Sequence, residues 1–524
     1  MVLISTITMF IVYVTVLLII GVWTSKRTKT TKDFVLGGRD VGSWLTAFAY
    51  GTTYFSSVVF IGYSGQFGYT YGVSALWIGI GNALIGSLLP WLILGRRTRI
   101  MTKHLHATTM PEFFEKRWNS KGLKTISALI VFVFLIPYTA SVYNGLSRLF
   151  AMAFGTDSDA VYMMIIVGMA VLTSVYVILG GYKAAAMTDF VQGVVMLGGI
   201  TAVVFCVIGN QGGLTEALSK LGEIETETVK QGTLNSLVGP DFVSLMGVLV
   251  LTSLGTWGLP QMVQKFYAIK DEKMIGKGAV ICTIFALIVS GGCYFMGGFD
   301  RLFVKQGGAG DFVVPTLSNG KLEFDAIIPH ILETALPDVL IGLVIVLVLS
   351  ASMSTLSSLV LTSSSTLTID LIKPIKEKSS GKKLSDKNSL LIMRILIAAF
   401  LLLSVVIAFN KNASITTLMS YSWGALAGSF LGPFMWGLFS KKITKSSIYI
   451  SFFLAIGITI AHMCIFSFGG VSFAEKPLVY LNSPINIGAF TMLLSVILVP
   501  LISAITKKPD KKLVDDVFEC LASK

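Results

Sequence analysis

Apolar runs long enough to cross a hydrocarbon layer of about 30 Å recur along the whole chain, and this constrains the fold more than any other feature. They fall at 4–24, 43–70, 73–95, 124–153, 159–180, 187–209, 241–267, 277–298, 337–369, 391–409, 413–439, 446–467 and 483–505. In lipid every backbone polar group must be satisfied internally, so spans of this kind are helices. The sequence therefore predicts an all-α integral membrane protein with thirteen transmembrane helices. Hydrophobic residues make up 54% of the 524 and charged residues 13%, which excludes a set of soluble domains. The first run has no basic residue before it and no small-residue cleavage site after it, so it reads as a retained helix. The five cysteines, Cys206, Cys282, Cys293, Cys464 and Cys520, include no CxxC pair and imply neither a disulfide framework nor a zinc site.

The net charge of +13 would suggest nucleic acid in a soluble chain, but the basic residues lie between apolar runs, where they set topology. Lys26, Arg27, Lys29, Lys32 and Arg39 follow the first span, and Arg96, Arg97, Arg99, Lys103, Lys116, Arg117, Lys121 and Lys124 follow the third. These segments are expected to face the cytoplasm. The segment 66–75 has no charge, 154–159 has only Asp157 and Asp159, and 210–240 sets four Glu against Lys220 and Lys230. These are expected outside. The alternation predicts a multi-pass protein of the cell membrane, with its N-terminus outside and its Lys-rich C-terminus in the cytoplasm.

A transporter needs a polar site at membrane depth, and interrupted helices supply one. The second span carries Ala49-Tyr50-Gly51-Thr52-Thr53-Tyr54-Phe55-Ser56-Ser57, and the seventh Thr252-Ser253-Leu254-Gly255-Thr256-Trp257-Gly258-Leu259-Pro260-Gln261. Five spans separate them, so the two interrupted helices run in opposite directions, as an inverted repeat of five plus five helices requires. Gly, Ser and Thr also serve simply to pack helices closely. In the ninth span Ala351, Ser354, Thr355 and Ser358 share one helical face flanked by Ser357. Their hydroxyl oxygens suit a hard cation such as sodium, and a serine-rich packing seam would look the same. Asp189, near the inner end of the sixth span, reads either as a functional ionisable group or as a helix N-cap.

The chain resembles the sodium:solute symporters, the group that includes bacterial proline, pantothenate and sialic acid transporters. The resemblance rests on Phe34-Val35-Leu36-Gly37-Gly38-Arg39, Gly180-Gly181-Tyr182 with Thr188-Asp189 and Gln192, Gly258-Leu259-Pro260 with Phe266 and Ala268, Met353-Ser354-Thr355-Leu356-Ser357, and Ser420-Tyr421-Ser422-Trp423-Gly424-Ala425. It implies a leucine-transporter-type core: 43–209 as the first five-helix repeat, 210–240 as an extracellular loop and 241–440 as the second repeat. Residues 1–42 would then be an extra helix and cytoplasmic loop, 441–505 two added helices, and 506–524 a cytoplasmic tail. It also implies a shared sodium site of the carbonyls of Thr52, Phe55 and Ala351 with the hydroxyls of Ser354 and Thr355. A second sodium would use Asp189 with Ser354, Ser357 and Ser358. In the proline transporters an Asp stands where this chain has Tyr54, and Trp and Tyr are replaced by Thr252 and Thr256, while Pro260 and Tyr138 match.

The expected function is sodium-coupled symport of a small organic solute, an amino acid or small carboxylate, with Tyr54, Ser57, Tyr138, Thr256, Trp257 and Tyr421 as solute contacts. Na+, the solute and the lipid bilayer are the expected partners; nucleic acid is not. Sodium-coupled sugar or vitamin uptake is the alternative within the class. A channel would favour a continuous polar lining or a charged ring; a solute sensor would append a signalling domain, for which 506–524 is too short. An enzyme is not expected, because the four histidines, His104, His106, His330 and His462, accompany no paired acid or nucleophile motif and there is no P-loop.

Overall fold

The computed structural model describes residues 2–25, 30–153, 159–226, 229–304, 313–316, 322–409 and 414–522. Lys26, Arg27, Lys29 and Asp157, which carry part of the charge argument, lie outside the described residues. The architecture is helical throughout, with only isolated β-bridges among the described residues. The principal helices are α1 (Val2–Ser25), α2 (Ser43–Tyr54), α3 (Ser64–Tyr71), α4 (Leu76–Ala83), α5 (Arg96–His104), α6 (Met110–Trp118), α7 (Lys121–Ala153), α8 (Asp159–Asn210), α9 (Phe242–Gly258), α10 (Pro260–Ala268), α11 (Ile275–Gly297), α12 (Asp338–Thr366), α13 (Asp386–Ala408), α14 (Ile415–Phe439), α15 (Lys445–His462), α16 (Pro484–Ile505) and α17 (Lys511–Ala522). By length and composition, eight helices among the described residues can cross a membrane, or nine if α9 and α10 form one bent span. Helix covers each of the thirteen expected stretches, so the difference lies in how continuous the stretches are.

Two pairs of expected spans run together. Helix is unbroken from Val58 to His104 and from Asp159 to Asn210, and each stretch turns at one glycine. Gly72 has φ 61 and ψ −142, and Gly181 has φ 58 and ψ −149, a region closed to L side chains. Space excludes a side chain as well: a Cβ at 72 would lie 2.2 Å from the Leu234 carbonyl oxygen, and one at 181 would lie 2.7 Å from that of Phe34. The connections also hold structure that hydropathy does not reveal. Leu214–Glu223 and Ile327–Ala335 are helical inside the two long connections, and α17 occupies the tail.

The basic segments gather at one end of the molecule. Arg39 donates to the carbonyls of Thr102, Tyr267 and Ala107; Arg117 donates to those of Gly437 and Ser440; Lys441 pairs with Asp515 of α17 at 3.0 Å. Here α17 lays Val514, Val517 and Phe518 inward, and the Arg117 guanidinium sits 4.9 Å above the Phe518 ring. The opposite end is built from the uncharged 66–75 segment, where Val73 N–H donates to the Leu234 carbonyl at 2.8 Å.

Candidate sodium and solute site

Both interrupted helices break where the sequence places them. After α2, Phe55 adopts φ −106 and ψ 98, and the chain re-enters helix through a widened turn, Val58–Tyr63. Ser57 anchors this break by donating to the Val142 carbonyl at 3.0 Å. The α9–α10 pair bends by 44° at Leu259, which has φ −76 and ψ 123. Pro260 opens α10 because its missing N–H is not needed at a first helical position. Close packing holds this break: a Cβ on Gly258 would lie 2.8 Å from the Leu431 amide nitrogen of α14.

Oxygen atoms converge between the first break and α12. Thr355 Oγ1 lies 3.3 Å from the Thr52 carbonyl, 3.2 Å from that of Thr53 and 3.2 Å from that of Ala351. Ser354 Oγ donates to Thr52 Oγ1 at 2.7 Å. Phe55 and Ala351 line one small cavity together with Ser56 and Phe60. Four of the five residues expected to hold sodium are thus joined by short oxygen contacts, and the fifth, Phe55, shares a cavity with Ala351. All are buried. The donor set is neutral and oxygen-only, which fits a monovalent hard cation.

The expected solute contacts divide into two groups. Tyr54 donates to the Thr252 carbonyl at 2.7 Å and to Asn82 Oδ1 at 3.0 Å, which ties one break to the other. Its ring stacks on Phe55 and on Trp423, with centroids 4.2 and 6.2 Å apart, and Tyr138 meets Trp423 edge-on at 5.8 Å. Thr256 Oγ1 and Trp257 Nε1 donate to the carbonyls of Gly86 and Ile85, both at 2.8 Å, in the widened turn Leu84–Leu88. Tyr421 stands apart. Its hydroxyl lies 3.1 Å from His462 Nδ1 and 2.5 Å from Ser467 Oγ, so it points to α15 and away from the Tyr54, Tyr138 and Trp423 group.

Asp189 is no helix cap. It lies within α8, eight positions past the Gly181 turn, fully buried, and neither carboxylate oxygen receives a hydrogen bond. Two residues of α10 escaped the sequence reading. Lys265 of α10 is 2% exposed and donates from Nζ to Ser358 Oγ at 2.8 Å; it is the opposite charge acting on Asp189, from beyond ion-pair distance. Gln261 is 1% exposed, and neither its amide nitrogen nor its oxygen has a partner. The signal for Lys265 was present, since an ionisable residue inside an apolar span is functional by default.

A bundle with two opposed broken helices and a neutral oxygen cluster between one break and a serine-rich helix is the leucine-transporter type of secondary transporter. Solved structures agree. A substrate-bound, outward-open Na+-coupled sialic acid symporter superposes with a TM-score of 0.72 at 18% identity, over 97% of this chain and 99% of that one. Mhp1, a nucleobase-cation-symport-1 family transporter, gives a TM-score of 0.50 at 13% identity, over 92% and 97%. Sodium/proline symporters of Staphylococcus aureus strains JH9 and COL are each 30% identical over 512 residues, covering 96% of this chain and 93% of the relative. Residues 34–454 match the sodium:solute symporter family, and the chain belongs to that family. Its function is sodium-coupled symport of a small organic solute across a membrane that it spans several times.

Proposed function

We infer that the coupling sodium binds to the carbonyls of Thr52, Phe55 and Ala351 and to the hydroxyls of Ser354 and Thr355, and that the solute is a small neutral amino or imino acid held between the two breaks. The observation that carries this reading is the lining of the breaks. Tyr54, Ser57, Tyr138, Thr256, Trp257 and Trp423 are uncharged, while Gln261 and Trp423 Nε1 are buried polar groups without partners. A compact zwitterion suits such a place: free backbone N–H and C=O groups at the helix breaks meet its two charges, the unpaired amide meets a polar edge, and the aromatic rings cover its apolar ring or side chain. The sodium/proline symporter relatives make proline the first solute to test.

The same reading includes thirteen crossings with an external N-terminus and a cytoplasmic C-terminus, the repeats at 43–209 and 241–440, the outer loop 210–240, the added segments 1–42, 441–505 and 506–524, and no enzymatic step. The clustering of Arg39, Arg117 and Lys441 at one end supports that orientation.

The test is binding of labelled proline to the purified protein, with hydroxyproline, alanine, lactate and glucose as competitors, in sodium and in potassium. Proline should bind only in sodium, and Gln261→Ala should weaken it at least about tenfold, or roughly 1.4 kcal/mol. Equal binding in both salts, or displacement by glucose alone, would end this reading.

A further inference from the structure

We propose that the Lys265 ammonium is a tethered cation standing in the second cation position, so that one sodium, not two, moves with each solute. The inference rests on the sodium-symport reading and concerns the cluster adjoining the shared site. Asp189 and the α12 serines Ser354, Ser357 and Ser358 are all buried, Ser358 is bonded to Lys265, and Lys265 is the opposite charge acting on Asp189; a carboxylate at that depth requires a positive charge nearby. Lys265 already supplies one.

The serine oxygens of this cluster already have partners, and the charge opposite the unbonded Asp189 oxygens is that of Lys265. Lys265 Nζ donates to Ser358 Oγ at 2.8 Å, and the same oxygen contacts Thr53 Oγ1 at 2.8 Å. Ser357 Oγ donates to the Ser354 carbonyl at 2.8 Å, and Ser354 Oγ points to Thr52 Oγ1 in the shared site. The ammonium also sits 5.2 Å above the Tyr182 ring, which holds it from the α8 side. A sodium ion bound to Asp189 and Ser358 would meet this ammonium in a medium of low dielectric, where like charges repel far more strongly than in water. The shared site faces no such competitor, because its Thr355 contacts are to backbone carbonyls. The two positions therefore differ in kind. One is lined by neutral oxygens and exchanges its cation with solution, whereas the other has its cation bonded to α10 and keeps it through the cycle. A tethered charge returns with its helix and carries no net charge across the membrane.

The test is equilibrium binding of radioactive sodium to the purified full-length protein, counted per molecule at saturation with no solute present. The wild type should bind one ion with a Hill coefficient near one. Lys265→Gln removes the ammonium and keeps the bulk, so the count should rise to two; Asp189→Asn in that background should return it to one. Lys265→Met serves if the glutamine variant does not fold. A wild-type count of two overturns the tethered-cation proposal and leaves the symport reading intact. A count of zero overturns both, and a count that stays at one in both Lys265 variants overturns the proposal.

Discussion

In the proposed ion site, single hydroxyls carry the ligation. Ser354 and Thr355 are buried at 0% exposure and each offers a cation one neutral oxygen, so Ser354→Ala or Thr355→Ala should raise the half-saturating sodium concentration about tenfold, or roughly 1.4 kcal/mol. The amount of protein in the membrane should barely change, and a sodium titration of solute uptake read beside a quantitative blot checks both. Asp325, in the connection 299–336, is set by different physics. Burial lifts its carboxyl to about 6 against the restraint of the Ile415 N–H, which it accepts at 3.1 Å, and of the nearby Arg148 charge. A folded value above the unfolded one of about 3.9 means that the folded protein holds the extra proton between those limits. Its contribution to stability is therefore fully present below about pH 3.9 and is lost progressively as the pH rises to and through 6. Melting curves of the wild type and Asp325→Asn, taken in detergent from pH 4 to 7.5, should show that pH dependence only in the wild type.

At the scale of elements, the basic end of the bundle is latched through backbone groups. Val41 N–H donates to the Ala268 carbonyl at 3.3 Å and Lys270 N–H to that of Val41 at 2.9 Å, joining the segment after Arg39 to the end of α10. Arg39 holds a left-handed backbone, φ 58, while its guanidinium reaches the carbonyls of Thr102, Tyr267 and Ala107. The Asp40–Lys270 ion pair beside it is 58% exposed on both sides and adds little. Arg39→Ala should loosen this latch. A cysteine at Thr362, buried against Gln264, should then be labelled faster from the cytoplasmic side in a protein whose five native cysteines are replaced. Unchanged labelling would assign Arg39 a static role. Helix approach sets a second limit: a Cβ on Gly68 would lie 2.0 Å from the Gly297 carbonyl oxygen, so α3 and α11 touch backbone to backbone. Gly68→Ala should cost about 1–3 kcal/mol through overpacking, seen as a lower melting temperature and less folded protein.

For the whole molecule, symport is a matter of charge moved per cycle. Each elementary charge that crosses contributes about 2.3 kcal/mol per 100 mV, so a neutral solute carried with one sodium should show a charge-to-solute ratio of one in voltage-clamped proteoliposomes. The accumulation limit should scale with the first power of the sodium gradient. A ratio of two would mean that a second ion reaches Asp189 in spite of Lys265.

Much of this was legible in the sequence because the physics concerned is local. Uninterrupted apolar runs must be helices in lipid, glycine and proline at 255–260 must weaken one, and Ser354, Thr355 and Ser358 must share a face by helical geometry. The positions of both breaks and the hydroxyl face of α12 followed from these, while the family rested on the resemblance of short motifs. What the tertiary structure decided depends on which distant side chain each long residue reaches. Tyr421 belongs to a matched motif yet turns to His462, because α15 packs on its side of α14. Gly72 and Gly181 make direct turns where hydropathy suggested loops, because Leu234 and Phe34 press against them. Asp189 and Lys265 lie far apart in the chain, and no periodicity links α8 to α10. Only the packing of both against α12 brings a buried carboxylate and a buried ammonium to one cluster of serines.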